Sequence, residues 1–142
     1  MFEKYNEHAR RAIFYARYEA TELESPQIET EHLLLGILRQ DKALPAQLCK
    51  FFSDLDATRK EIERITTRKE KISVSLDMPL SEECKRALAY AAEESEQLAH
   101  NYIGPGHLLL GLLRQENSLA ARLMHDRGLR LAQVRKQIAG SA

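Results

Sequence analysis

The sequence predicts an all-α domain built from two four-helix repeats related by a pseudo-two-fold axis. Three observations carry this. The stretch from Ile28 to Gln40, IETEHLLLGILRQ, returns from Ile103 to Gln115 as IGPGHLLLGLLRQ. Aligning each residue n with n + 75 makes about eighteen of the forty pairs from residue 9 to 48 identical, which marks an internal duplication. Apolar residues recur at three- and four-residue steps, the period of an amphipathic helix, and no stretch alternates as a half-buried strand does. A single domain over 1–142 is expected, with repeat one over about 2–66, a linker over about 67–80 and repeat two over about 81–139.

The first helix is expected from about Asn6 to Glu24, where Ala9, Ala12, Ile13, Ala16, Ala20 and Leu23 form one apolar stripe. Its partner runs from about Ser81 to His100, with Ser81 as N-cap and Glu82 and Glu83 favourably placed in the first turn. The second helix of each repeat carries the duplicated motif. Thr30 reads as N-cap for a helix starting at Glu31, and Pro105 suits the opening turn of the other copy. Leu33-Leu34-Leu35-Gly36-Ile37-Leu38 is apolar nearly all round, so this helix should be central. Gly36 and Gly111 cost roughly 1 kcal/mol each against alanine inside a helix, which implies close approach of another helix. Short third helices follow near Leu44–Phe52, with Pro45 in the first turn, and near Ser118–Arg127, closed by Gly128 as a C′ residue. Fourth helices are expected over about Leu55–Thr66 and Leu129–Ala139. Thr67 to Leu80, polar and β-branched with Pro79 before the next helix, reads as the linker.

A chain of 142 residues buries roughly two thirds of its unfolded surface, enough for a real core. With 21 basic and 21 acidic residues the formal net charge is zero, so no general field draws the molecule to nucleic acid or an anionic membrane. The N-terminus MFEKYNEHARRAIF is charged and amphipathic, unlike a secretory leader, and no apolar run approaches the roughly 20 residues that cross a bilayer. A cytoplasmic location is expected. Cys49 and Cys84 make no disulfide framework and read as reduced, small apolar residues.

Chemistry is sparse. No glycine is followed by Lys-Ser or Lys-Thr, so there is no phosphate-cradling loop, and Gly104-Pro105-Gly106 reads as a turn and helix start. His8, His32, His100, His107 and His125 form no metal-ligand pattern, so no metal and no cofactor are expected. His32 and His107 occupy equivalent places near buried helix N-termini, which suits a symmetric structural role in hydrogen-bonding a preceding backbone group. Neither cysteine has a partnered base, and an enzyme is not expected. The stretch RLMHDRGLRLAQVRKQ, with Arg122, Arg127, Arg130, Arg135 and Lys136, reads first as a solvated face and second as a surface for an anionic partner.

The paired helices of pattern [TP]-x-H-L-L-L-G-[IL]-L-R closely resemble the amino-terminal double-repeat domain of the Clp chaperone ATPases, nearest to the ClpC type, over Phe2 to about Ile138. The resemblance implies a mobile, non-catalytic module that receives protein substrates and adaptor proteins ahead of an ATPase ring. ClpC-type domains also recognise phosphorylated arginine through a Thr-Glu-His at the start of each second helix. A carboxylate suits a planar bidentate guanidinium and a helix N-terminus suits an anion. Here Thr30, Glu31 and His32 keep that pattern, while Pro105, Gly106 and His107 have lost the threonine and the carboxylate. By this resemblance the first pocket could hold phosphoarginine and the second is degenerate. Glu31 also reads simply as a carboxylate that favours the helix dipole.

The chain reads as an excised domain or as a free-standing two-repeat adaptor that competes for Clp substrates. Neither nucleic acid nor membrane is expected as a partner. A rival reading is an oligomerisation module that uses Phe14, Tyr15 or Tyr18. A further rival binds an anionic partner through Arg122 to Lys136, with the salt dependence that implies.

Overall fold

The computed structural model describes residues 2–40, 44, 55–66 and 78–140. Among them are seven helices: α1 (Glu7–Glu22), α2 (Thr30–Gln40), α3 (Leu55–Ile65), α4 (Glu82–Gln97), α5 (Pro105–Arg114), α6 (Leu119–Asp126) and α7 (Leu131–Ala139). There is no strand among the described residues beyond two isolated bridges. The expected third helix of repeat one, near Leu44 to Phe52, lies outside the described residues except for Leu44, which is buried. Residues 67–77 of the expected linker also lie outside them.

The first helices begin where short polar side chains satisfy exposed N–H groups. Asn6 Oδ1 accepts from Ala9 N at 2.9 Å, and Ser81 Oγ accepts from Cys84 N at 3.1 Å. Both helices end two to three residues earlier than the expected Glu24 and His100, at Glu22 and Gln97, in the same device. Glu24 and Ala99 take left-handed φ values of 57° and 59°. The next N–H groups, of Ser25 and His100, reach back to Ala20 O at 2.9 Å and Ser95 O at 3.0 Å. Ser118 caps α6 through Ala121 N at 3.1 Å, and Gly128, at φ 86°, closes it as expected.

Helices α2 and α5 form the centre. Every residue of α2 except Arg39, and every residue of α5 except Arg114, is buried. The glycines explain how these helices come so close to α1 and α4. A Cβ on Gly36 would strike the Ala12 carbonyl oxygen and stand 2.8 Å from Ala16 N. One on Gly111 would strike the Ala87 carbonyl oxygen and stand 2.9 Å from Ala91 N. Small residues on α1 and α4 thus face a glycine on α2 and α5.

The repeats are tied reciprocally. Tyr5 bridges to Ile103 and Leu80 bridges to Ile28. Asn6 N donates to Ile103 O at 3.0 Å and Ile103 N to Lys4 O at 2.9 Å. Ser81 N donates to Ile28 O at 2.9 Å and Ile28 N to Pro79 O at 2.8 Å. Each repeat's leading segment therefore pairs with the turn between the first two helices of the other. Pro79 and Leu80, at the end of the expected linker, are part of this strap. The Arg127 Nη2 to Glu61 Oε1 pair at 2.7 Å adds a second tie between repeats.

Candidate functional site

The two motif helices start in register but with different chemistry. Thr30 was expected to cap α2, and the geometry corrects this. The cap position belongs to Glu29, whose carbonyl oxygen accepts from His32 N at 3.1 Å and Leu33 N at 3.2 Å. The Glu29 N–H donates to His32 Nδ1 at 2.9 Å, and in repeat two the Gly104 N–H donates to His107 Nδ1 at 2.9 Å. Both histidines therefore close the helix start by accepting from the backbone three residues earlier, the structural role read from the sequence. Thr30, one residue further in, is buried; its hydroxyl donates to Glu31 Oε1 at 3.4 Å and accepts from Ala120 N of the other repeat at 3.5 Å.

Glu31 is 8% exposed. Burial raises its carboxyl above the ordinary range, and the charges of Glu29 and Glu83 push the same way, against backbone and Thr30 hydrogen bonds that lower it. A carboxylate in that position gains from meeting a cation. At the matching place in repeat two, Gly106 lies under Ile138 of α7. A Cβ there would strike Ile138 Cδ1 and stand 3.1 Å from its Cγ1. The second helix start is thus covered by an isoleucine where the first carries a carboxylate. Pro105 is the first residue of α5, where its missing N–H costs nothing. His107 is buried, and its Nε2 is 2.7 Å from His100 Nδ1. Because its Nδ1 already accepts from the Gly104 N–H, neutral His107 carries its proton on Nε2 and donates that N–H to His100 Nδ1. Burial first, and His100 second, push the His107 imidazole down to about 4.

Sequence reading missed the strongest polar feature. Glu19 on α1 and Glu94 on α4 are almost fully buried. Arg59 binds Glu19 with two nitrogens at 2.6 and 2.7 Å, and Arg39 approaches the same carboxylate at 3.4 Å. Arg135 binds Glu94 at 2.8 and 3.0 Å, and Arg114 joins at 3.2 Å. Each repeat thus clamps its first, second and last helices with one carboxylate and two guanidinium groups. The signal was present: Glu19/Glu94 and Arg39/Arg114 are identical pairs in the n + 75 alignment. What was lacking is the third member, because Arg59 and Arg135 are offset by one residue from that register.

The remaining candidates disperse. Of the basic stretch, Arg127 pairs with Glu61, Arg135 with Glu94, and Arg130 donates to the carbonyl oxygens of His125 and Leu129. Arg122 and Lys136 are exposed. Cys84 is fully buried, and burial pushes its thiol up to about 12, which makes it inert. Cys49 lies outside the described residues. Phe14 and Tyr18 are exposed on α1, and the Arg39 guanidinium lies over the rings of Tyr15 and Tyr18 at 4.8 and 4.5 Å. Among the described residues no group of His, Cys, Asp and Glu could hold a metal ion, and no helix is long and apolar enough to cross a membrane.

The model of the Clp repeat (R) N-terminal domain matches residues 4–127 and 79–141. The chloroplastic chaperone protein ClpC1 of Arabidopsis thaliana is 37% identical over 139 residues, 97% of this chain and 15% of the relative. A ClpA homolog of Guillardia theta, an ATP-binding subunit of the ATP-dependent Clp protease, is also 37% identical over 97% of this chain and 17% of the relative. The chain therefore spans less than a fifth of the length of these relatives. The N-terminal domain of the chaperone ClpD from Arabidopsis thaliana superposes with a TM-score of 0.78 at 29% identity, covering 96% of this chain and 93% of that one. A ClpV N-domain in complex with a VipB peptide shares the fold, with a TM-score of 0.70 at 20% identity over 97% of this chain and 86% of that one. By sequence and by fold, the chain belongs to the Clp repeat N-terminal domain family.

Proposed function

We propose that this domain is a non-catalytic docking module for protein substrates and adaptor proteins of a Clp chaperone–protease system. We further propose that its first repeat recognises phosphoarginine through Thr30, Glu31 and His32. The relatives' full chains are named as ATP-binding subunits and chaperones, and the peptide-bound ClpV N-domain has the same architecture. The observation that carries the finer reading is the difference between the two helix starts. Glu31 is a buried carboxylate faced by Glu29 and Glu83, an environment that a guanidinium relieves. The N-terminus of α2 offers positive potential for the phosphate of the same ligand. In repeat two the glycine at 106 lies under Ile138, so Pro105, Gly106 and His107 take no such ligand.

Calorimetric titration of free phosphoarginine into the wild type and into Glu31→Gln tests this. One binding event per chain, lost in the variant, is expected. No heat from a folded wild type removes the phosphoarginine reading and leaves the docking module.

A further inference from the structure

The internal duplication supplies a control for every surface residue, and one face has diverged sharply. On α1 of repeat one, Arg10, Phe14, Arg17 and Tyr18 are all exposed on the outer side, Phe14 at 66% and Tyr18 at 45%. Their counterparts on α4 are Lys85, Ala89, Ala92 and Glu93. Two aromatics and an arginine in one repeat are thus two alanines and a glutamate in the other, on helices of equal length and matching caps.

The consequence falls on the equivalent arginines of α2 and α5. Arg114 is held over the Tyr90 ring at 4.3 Å and has two carboxylate partners, buried Glu94 at 3.2 Å and surface Glu93 at 3.3 Å. Arg39 has only the first kind. Its single carboxylate contact among the described residues is Glu19 at 3.4 Å, and Arg59 already grips that group at 2.6 and 2.7 Å. Tyr18 stands where Glu93 stands, so that position offers Arg39 no carboxylate, and the nearby Glu22 lines the cleft without pairing with Arg39. Arg39 is stacked on Tyr15 and Tyr18, with its side chain 36% exposed. It opens on a cleft of about 310 Å³ lined by Tyr18, Glu22, Arg39 and Arg59. Arg10 and Arg17 flank the face and make no ion pair with any described residue.

We propose that this face of α1 docks a peptide segment of a protein partner that presents a carboxylate beside an aromatic or aliphatic side chain. The carboxylate takes at Arg39 the position that Glu93 occupies at Arg114. The apolar side chain packs on Phe14, whose ring meets Tyr15 edge-on at 5.8 Å and otherwise faces water. Holding the guanidinium between two rings fixes it in advance, so little side-chain freedom is lost when the carboxylate arrives. Glu22 on the rim limits the fit to an isolated carboxylate in an apolar context and excludes a long acidic run. This inference rests on the domain being a docking module, but it does not use the Glu31 pocket.

The test is fluorescence anisotropy with a fluorescein-labelled peptide of sequence Gly-Ser-Phe-Asp-Leu-Gly and its counterpart with Lys in place of Asp. The Asp peptide is expected to bind saturably, and the Lys peptide at least about tenfold more weakly, the worth of one charge-assisted pair. Tyr18→Glu copies the residue of repeat two and is expected to weaken the Asp peptide by about tenfold, because the new carboxylate occupies Arg39. Phe14→Ala also copies repeat two and should weaken it several-fold. Both residues are exposed, so circular dichroism should be unchanged. Absent saturable binding, equal binding of the two peptides, or an unaltered Tyr18→Glu variant would each overturn the proposal. So would self-association of the wild type in sedimentation that Tyr18→Glu abolishes, which would assign the face to a second copy. Phosphoarginine calorimetry reads a different face, so the two results separate a failed pocket from a failed docking surface.

Discussion

Replacing Gly111 by alanine puts helix propensity and packing in direct opposition. Alanine is the better helix former by about 1 kcal/mol, so on propensity alone Gly111→Ala should stabilise the domain. The packing says the reverse. The added methyl would strike the Ala87 carbonyl oxygen and lie 2.9 Å from Ala91 N, and both are helix backbone that cannot rotate away. Restoring an ordinary C···O separation of about 3.3 Å requires α4 and α5 to part by roughly 1 Å. That loosens Leu108, Leu112 and their neighbours along the whole interface, and overpacking of this kind costs about 1–3 kcal/mol or somewhat more. Both struck atoms are helix backbone, which places the cost at the upper end of that range, so after the propensity gain a net loss of about 2 kcal/mol is expected. Gly36→Ala should behave alike, since its methyl would strike the Ala12 carbonyl oxygen and lie 2.8 Å from Ala16 N. Urea denaturation followed by far-UV circular dichroism reads the loss as a lower midpoint at constant slope. Thermal midpoints should fall by about 3–8 °C. Either variant matching or exceeding the wild type would refute the claim that backbone contact, not propensity, selects these glycines.

Other perturbations probe the same framework. Glu24→Gly and Ala99→Gly place glycine at left-handed positions now held by ordinary residues, and each should stabilise by about 1 kcal/mol in urea denaturation. The folded His107 sits well below the unfolded value of 6.5, so its stability contribution is complete above that pH and declines as pH falls toward about 4. The loss between pH 7.5 and pH 5 is about 2 kcal/mol, visible as a falling urea midpoint that His107→Gln should flatten. Glu94→Gln keeps the shape but leaves Arg114 and Arg135 without their shared charge, at a cost of about 2–3 kcal/mol. The Arg135 hydrogen bond foremost, with Arg114 assisting, lowers the Glu94 carboxyl below 4.5. Its stabilisation is therefore held at neutral pH and lost only as pH falls through that lowered value. The acid limb of the wild-type stability curve should shrink in the variant.

Local patterns carried most of the architecture. The apolar stripe of α1, the all-round burial of α2, the glycine contacts and the His32 and His107 roles depend on spacing within one helix or on the duplication, and both are visible in one dimension. The helix ends were read too long, because Glu24 and Ala99 stop α1 and α4 in a conformation that glycine usually marks. Thr30 looked like a cap because its chemistry suits one, while the backbone of Glu29 held that position and His32 closed it. Tertiary polar chemistry was harder to read. Glu19 and Arg59 lie forty residues apart with no local signature, and the offset of Arg135 hid the symmetry of the clamp. The lid of Ile138 over Gly106 was equally silent, although the loss of the carboxylate at that position was plain.

The reciprocal straps impose an order on synthesis. Lys4 and Asn6 are made about a hundred residues before their shared hydrogen-bond partner, Ile103. At about 5–20 residues per second, a ribosome needs roughly 5–20 s to deliver that partner after Tyr5 has been made. During that interval the leading edge of repeat one stays unpaired, while the return strap, Ile28 with Pro79 and Ser81, forms as soon as residue 81 is free of the exit tunnel. The second half of the molecule thus completes the first, and a nascent chain stalled before Ile103 offers an open backbone edge to whatever chaperone waits at the ribosome.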